Sequence, residues 1–124
     1  MDNSKYNIIM PETDDRAICM MVDKPISIEG YSENFLPRIK AMVEKHGEIR
    51  ALVYFKEYKG WEEQAALLDI ATIADYGDKV LKIAMVNPPE KRILQFKIKQ
   101  SMFTGTIKLF NENELQKAIE WVKS

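Results

Sequence analysis

Hydrophobic and polar positions along the chain fall into short runs separated by turn chemistry. The densest run is Ile49–Phe55, IRALVYF, in which only Arg50 is charged. It breaks into Lys56-Glu57-Tyr58-Lys59 and closes on Gly60-Trp61. A short run rich in β-branched and aromatic residues, bounded by turn residues, predicts a strand buried on both faces. Ahead of it, residues 6–10 and 16–22 are apolar runs joined by Pro11-Glu12-Thr13-Asp14-Asp15. That spacing predicts an antiparallel hairpin. The adjacent carboxylates Asp14 and Asp15 fit solvated turn formers better than a metal or acid–base pair.

Helical period follows. After a linker over residues 23–30, Phe35, Ile39, Met42 and Val43 recur at i, i+4, i+7 and i+8, which predicts a helix from about 32 to 46. Ser32 is its expected N-cap, Pro37 lies near its start, and Gly47 ends it. His46 is thereby explained as a cation at a helix terminus. Residues 62–76 predict a second helix, with Ala65, Leu68 or Asp69, Thr72 and Ile73 on one face. Ala66, Leu67, Ile70, Ala71 and Ala74 occupy the remainder. So little polar surface predicts a helix covered on much of its circumference.

Residues 79–86 predict a strand, stopped by Asn87-Pro88-Pro89. Segment 90–103 carries conflicting signals. Pro89 and Glu90 favour a helix start, whereas Leu94, Phe96 and Ile98 alternate with Gln95, Lys97 and Lys99. The crossover that parallel strands require decides for a helix. Thr106–Phe110 is a last strand. Asn111 and Glu114 then form a capping-box pattern, opening a helix over 112–123 with Leu115, Ala118, Ile119 and Val122 on one face. The order β-β-α-β-α-β-α-β-α predicts an α/β fold. Its mixed sheet should have an N-terminal antiparallel hairpin, parallel later strands, and helices packed on it.

Composition narrows the class. The chain has 124 residues, 46% hydrophobic and 30% charged, which suits a single folded domain over 1–124. Eighteen basic and nineteen acidic residues leave a net charge of -1, and no case for bulk nucleic-acid binding. The one cysteine, Cys19, excludes an internal disulfide and a multi-cysteine metal site, and fits a reducing cytoplasm. The first residues lack the basic and apolar regions of a signal peptide, and no apolar run approaches the roughly 20 residues that span a bilayer. The expectation is a soluble cytoplasmic protein. Its seven methionines read mainly as core filling.

Catalytic patterns are missing. The chain has no GxGxxG, GxxxxGK[ST] or HExxH, and one histidine and one cysteine do not assemble a triad. No catalytic residue, cofactor or metal site is therefore expected.

Several landmarks carry a resemblance. They are Ile28-Glu29-Gly30-Tyr31, Phe35-Leu36-Pro37, the Ile49–Phe55 strand, Gly60-Trp61, Lys82-Ile83-Ala84-Met85-Val86, residues 107–110, and Ala118-Ile119-Glu120-Trp121-Val122. In this order, over roughly 26–122, the chain resembles the SpoIIAA-like family. That family shares the fold of the STAS domains and is likened to the CRAL-TRIO lipid-binding domains. The resemblance implies a STAS-like fold without catalysis. Bacterial anti-sigma antagonists of this fold are switched by phosphorylation of a serine at the start of the helix after the central strand. Here the region reads Lys59-Gly60-Trp61-Glu62-Glu63-Gln64, with no serine or threonine between Phe55 and Thr72. The resemblance thus implies a missing phospho-switch. Glu62 and Glu63 fit acids favoured at a helix N-terminus better than a phosphate mimic.

Two functions follow as expectations. The first is a module that binds a small apolar ligand or lipid, using Tyr54, Tyr58, Trp61, Leu94, Phe96 and Ile98. On a helix, Ile93, Phe96 and Phe103 would point away from Leu94, Ile98 and Met102, leaving apolar surface for a pocket, a homodimer interface or a membrane. Lys91, Arg92, Lys97 and Lys99 against Glu90 make the segment locally +3. With Met102 and Phe103 they are the expected contacts to an anionic membrane surface, at the inner face. The alternative is a STAS-type protein-interaction module working through the loop and helix after Phe55, with Trp61 as anchor.

Overall fold

The strands β1 (Ile8–Ile9), β2 (Ile18–Val22), β3 (Ile49–Phe55), β4 (Val80–Val86) and β5 (Thr106–Phe110) form one sheet whose spatial order is their chain order. The structure, a computed structural model, describes residues 7–90 and 101–124. β1 runs antiparallel to β2, with Ile8 opposite Met21, and β2 to β5 are parallel. This is the mixed α/β sheet predicted from the pattern.

The N-terminal hairpin is held at its turn by side chains. Asp14 accepts from the N–H groups of Arg16 and Ala17 at 2.8 and 3.0 Å. Thr13 Oγ1 donates to the Cys19 carbonyl and accepts from its N–H, each at 2.9 Å. Such bonds are what Asp and Thr offer a turn.

The first helix starts earlier than predicted. Its N-cap is Ser27, whose hydroxyl accepts from the Gly30 N–H at 3.0 Å. Ser32 is not the cap; it lies inside the helical stretch and donates to the Ile28 carbonyl at 2.7 Å. Helix α1 (Ile28–Gly30) passes into a π-helical stretch, Tyr31–Phe35, and then into α2 (Leu36–His46). Pro37 gives the reason. It has no N–H for the carbonyl four residues back, and its ring would crowd that carbonyl. Just before it, the Leu36 N–H reaches back five residues to the Tyr31 carbonyl. That wider turn takes up one extra residue. α2 ends as predicted at Gly47, with φ 71° and its N–H on the Val43 carbonyl.

Helix α3 (Glu63–Tyr76) follows β3, and α4 (Leu115–Lys123) follows β5. The Asn111–Glu114 capping box is present, on a 3-10 turn (Glu112–Glu114) that leads into α4. Of segment 90–103, predicted as a helix, residues 91–100 lie outside the described residues. Its end, at Ser101 and Met102, is a turn.

Consecutive parallel strands that step in one direction, with right-handed connections, place their helices on one face. Accordingly α1, α2 and α3 cover one side of the sheet, and α4 covers the other. On the α4 side, Cys19, Leu52, Ala84, Val86 and Phe110 pack against Ala118, Ile119 and Val122. Arg50, the one charge of β3, also points there. Its guanidinium donates to the Val122 carbonyl at 2.9 Å and to the Ser124 carbonyl, and pairs with Glu48 at 3.0 Å. A cation among the last carbonyls of a helix is favourable electrostatically.

α3 corrects one expectation. Its inward residues Ala65, Thr72 and Ile73 are buried as predicted, but the helix is not covered around much of its circumference. Leu67 and Ile70 are 59% and 54% exposed. With Ala71 and Ala74, also exposed, they form an outward stripe at i, i+3, i+4 and i+7. Alanine-rich composition favours helix whether or not a neighbour covers it.

Candidate functional site

The side of the sheet under α1, α2 and α3 is incompletely filled. Along β3, Ile49, Ala51, Val53 and Phe55 point to this side, flanked by Met20 of β2 and by Ile83 and Met85 of β4. Ala51, at the middle of the row, is small. Tyr31, Phe35 and Ile39 descend from the first helical stretch, and Asp69, Ile73 and Tyr76 from α3. They do not meet the sheet above Ala51.

A cavity with two lobes remains. One lobe, about 80 Å³, extends toward Ile49, Val80 and Tyr76. The other, about 120 Å³, extends toward Val53, Phe55, Trp61 and Met85. Tyr31, Phe35, Ala51, Asp69, Ile73, Ile83 and Phe103 line both. From Ile49 to Phe55 an extended strand covers about 20 Å, so the cavity is elongated along β3.

Among the described lining residues, polar groups are few. Tyr31 is 4% exposed, and its hydroxyl donates to Asp69 Oδ1 at 2.7 Å. Burial, and then the neighbouring Asp69 carboxylate, push the Tyr31 phenol far above its ordinary range, against a smaller opposing effect of the Thr72 hydroxyl. Tyr31 is therefore a neutral hydroxyl at any physiological pH. Thr72 Oγ1 donates to the Leu68 carbonyl at 2.8 Å. The π-helical stretch positions both aromatic rings of its ends, with Tyr31 and Phe35 centroids 5.1 Å apart. The Trp61 ring lies 6.2 Å from Tyr31.

The loop after β3 closes this end. The Ile26 N–H donates to the Gly60 carbonyl at 2.9 Å, and the Glu62 N–H to the Ile26 carbonyl at 2.8 Å. Gly60 has φ +86°, which glycine adopts without strain. Glu62 Oε1 accepts from the Ile28 N–H at 3.0 Å. Its side chain thus satisfies the start of α1, while its backbone forms the N-cap of α3.

The predicted site residues separate. Trp61 lines the larger lobe. Tyr58 packs edge-on against Phe55 at 5.9 Å, outside the lining of both lobes. Tyr54 does not join them: strand alternation turns it to the α4 side, where its hydroxyl donates to Glu112 Oε2 at 2.8 Å. Phe103 lines both lobes, and Met102 beside it is 49% exposed. Leu94, Phe96, Ile98, Lys91, Arg92, Lys97 and Lys99 lie outside the described residues. Sequence reasoning missed Tyr31, Ala51, Asp69 and Thr72 as site residues. Asp69 gave a signal, being an acid at an inward position of an otherwise apolar helix.

Elsewhere, His46 Nε2 stands 3.6 Å from Asp15 at the end of α2. Burial under α4 raises the Cys19 thiol to about 11. Among the described residues no group of three or more His, Cys, Asp or Glu could hold a metal ion. No helix among them is long and apolar enough to cross a membrane.

No curated protein sequence is significantly similar to the chain. Among solved structures, a protein of SpoIIAA-like fold from Shewanella loihica superposes with a TM-score of 0.68 at 20% identity, over 94% of this chain and 91% of that one. At that identity the likeness speaks for the fold. The SpoIIAA-like family profile matches residues 17–123, nearly the whole sheet with α1 to α4. The chain belongs to the SpoIIAA-like family.

Proposed function

We propose that this SpoIIAA-like domain is a non-catalytic binding module for a small apolar molecule or lipid. The observation that carries the reading is the two-lobed cavity over Ala51. Among the described residues its lining is almost wholly apolar and aromatic, with a few polar groups, as small-molecule sites commonly are. Close packing is the rule in protein interiors, so an unfilled region in the middle of a sheet face calls for an explanation. A bound apolar molecule supplies the missing contacts. Peripheral contact with an anionic membrane belongs to the same reading, because exposed Met102 adjoins Phe103 of the cavity wall. The reading places the protein in the cytoplasm, at the inner membrane face when loaded.

Native mass spectrometry of protein purified from its own host tests the binding. The expected result is a co-purifying apolar molecule that is lost in Ala51→Trp, whose side chain fills the cavity. Protein that carries nothing, and takes up no apolar probe after delipidation, overturns the reading.

A second reading has one observation in its favour. The exposed stripe Leu67, Ile70, Ala71 and Ala74 lies on α3, the helix after the central strand, with exposed Glu63 and Asp75 near its ends. That pattern suits a protein partner presenting an apolar ridge with basic flanks. On this reading the domain is a STAS-type interaction module without a phosphorylatable serine. Its partner should be lost in Leu67→Glu combined with Ile70→Glu and kept in Ala51→Trp.

A further inference from the structure

The floor of the cavity dips at Ala51. Its neighbours on the helical side of the sheet are branched. Ile18 of β2 and Ile83 of β4 stand opposite it in register. Ile49 and Val53 flank it along β3. A strand alternates its faces, so these four side chains and the Ala51 methyl share one surface. The hollow at its centre is the volume by which isoleucine or valine exceeds alanine. Above it, Tyr31 and Phe35 of the π-helical stretch and Ile73 of α3 line both lobes, as Ala51 does. The lobes leave this point in opposite directions along β3, one toward Ile49 and Val80, the other toward Val53 and Phe55. Ala51 therefore floors the passage between them.

We propose that the cavity holds one unbranched alkyl chain extended along β3, and that Ala51 sets how long a chain it takes. This deepens the small-molecule reading above and rests on it. A passage as deep as the difference between alanine and its branched neighbours is one chain thick. A linear chain lies across the Ala51 methyl with its two ends in the two lobes, and each further methylene buries more apolar surface. A compact or fused-ring molecule of the same carbon count has to sit in one lobe. There the walls are packed side chains, which do not make room without strain.

Isothermal titration calorimetry of delipidated protein with butanol, hexanol, octanol and decanol varies chain length at a constant headgroup. Each methylene buried corresponds to about fourfold in affinity, so the dissociation constant should fall steadily from butanol to decanol. Adamantanol, with the carbons of decanol in a compact cage, should bind at least about tenfold weaker than decanol. Ala51→Val adds its bulk at the passage and reaches into neither lobe. In that variant the gain should stop beyond hexanol. Decanol should then bind at least about tenfold weaker than in wild type, while butanol changes by less than about threefold. A wild-type series that levels off before decanol overturns the inference. So does adamantanol binding as tightly as decanol, and neither result needs a variant to fold. A uniform weakening of all the linear alcohols in Ala51→Val with native circular dichroism also overturns it, since Ala51 then sets no length. If none of the probes binds, the small-molecule reading itself falls, and the chain selectivity with it.

Discussion

The two faces of the sheet are built from the same strands and packed in opposite ways. Under α4, Leu52, Ala84, Val86, Ala118 and Val122 are each 0% exposed. Under α1, α2 and α3, Met20, Val53, Ile83 and Met85 are only half-buried, and the cavity opens among them. Adjacent residues of β3 show the contrast at closest range: Leu52 fills its side, while Ala51 leaves a hollow in its own. Since strand, register and twist are shared, the difference lies in side-chain volume and in how the helices sit. One face is committed to stability, and the other retains space. That division leaves the site free to vary without loosening the core.

The largest test of this contrast is Leu52→Ala. Truncating a fully buried leucine should cost about 2–5 kcal/mol in urea denaturation, because the tight α4 face relaxes little around the void. A cost below about 1 kcal/mol would mean that face is looser than described. Next comes a matched pair. Ala84→Leu adds bulk to the packed face and should cost about 1–3 kcal/mol. Ala51→Leu adds the same bulk over the cavity and should cost less than about 1 kcal/mol, while excluding apolar probes. Equal costs would erase the distinction between the faces. Glu62→Ala removes the cap on the Ile28 N–H and should cost about 1 kcal/mol, measurable as a lowered urea midpoint. A cost as large as that of Leu52→Ala would show the helical layer to be as tightly held as the α4 face.

The smallest effect concerns pH and the α4 side. Burial on its own would raise the Asp14 carboxyl, but Lys123 and the N–H groups of Arg16 and Ala17 outweigh it and hold it below the usual carboxylate range. In the native state Asp14 thus binds its proton less readily than in the unfolded chain. Its contribution is present above the unfolded value and fades as pH falls through the lower folded one. Wild type should therefore exceed Asp14→Asn slightly in thermal midpoint at neutral pH, and the two should converge in acid, once pH has fallen through the lowered folded value. A gap that persists in acid would assign the effect to shape instead of charge. The ion pair to Lys123, at 3.0 Å, is partly solvent-exposed, which keeps the effect small.

Much of the architecture was legible in the chain because it depends on local period and local punctuation. β3 could be read from its apolar run, the end of α2 from Gly47, and the turn before α4 from Asn111 and Glu114. The start of the first helix was not legible in the same way. Pro37 marks a helix beginning in most contexts, and only a wider turn over Tyr31–Phe35 lets the helix run through to Ser27. Tyr54 was misplaced for a different reason. With Arg50 its only charge, the strand gives too little alternation to tell its two faces, so aromatic residues near each other in sequence were grouped together. The cavity was illegible because it is an absence: it arises where Ala51, Tyr31 and Ile73 fail to fill the space between them, and no single segment encodes that.

The strand order has a consequence for how the protein is made. Because β1 to β5 lie side by side in the order in which they are synthesised, no strand has to insert between two that are already paired. Each unit can dock on the edge left by the one before, which keeps loop closures short and folding correspondingly quick. The α4 face behaves differently. Leu52, Ala84 and Val86 remain bare until α4 follows β5, so a ribosome-bound chain paused before Leu115 exposes a broad apolar surface. That interval, and not the finished fold, is when the protein is most open to aggregation and to capture by chaperones.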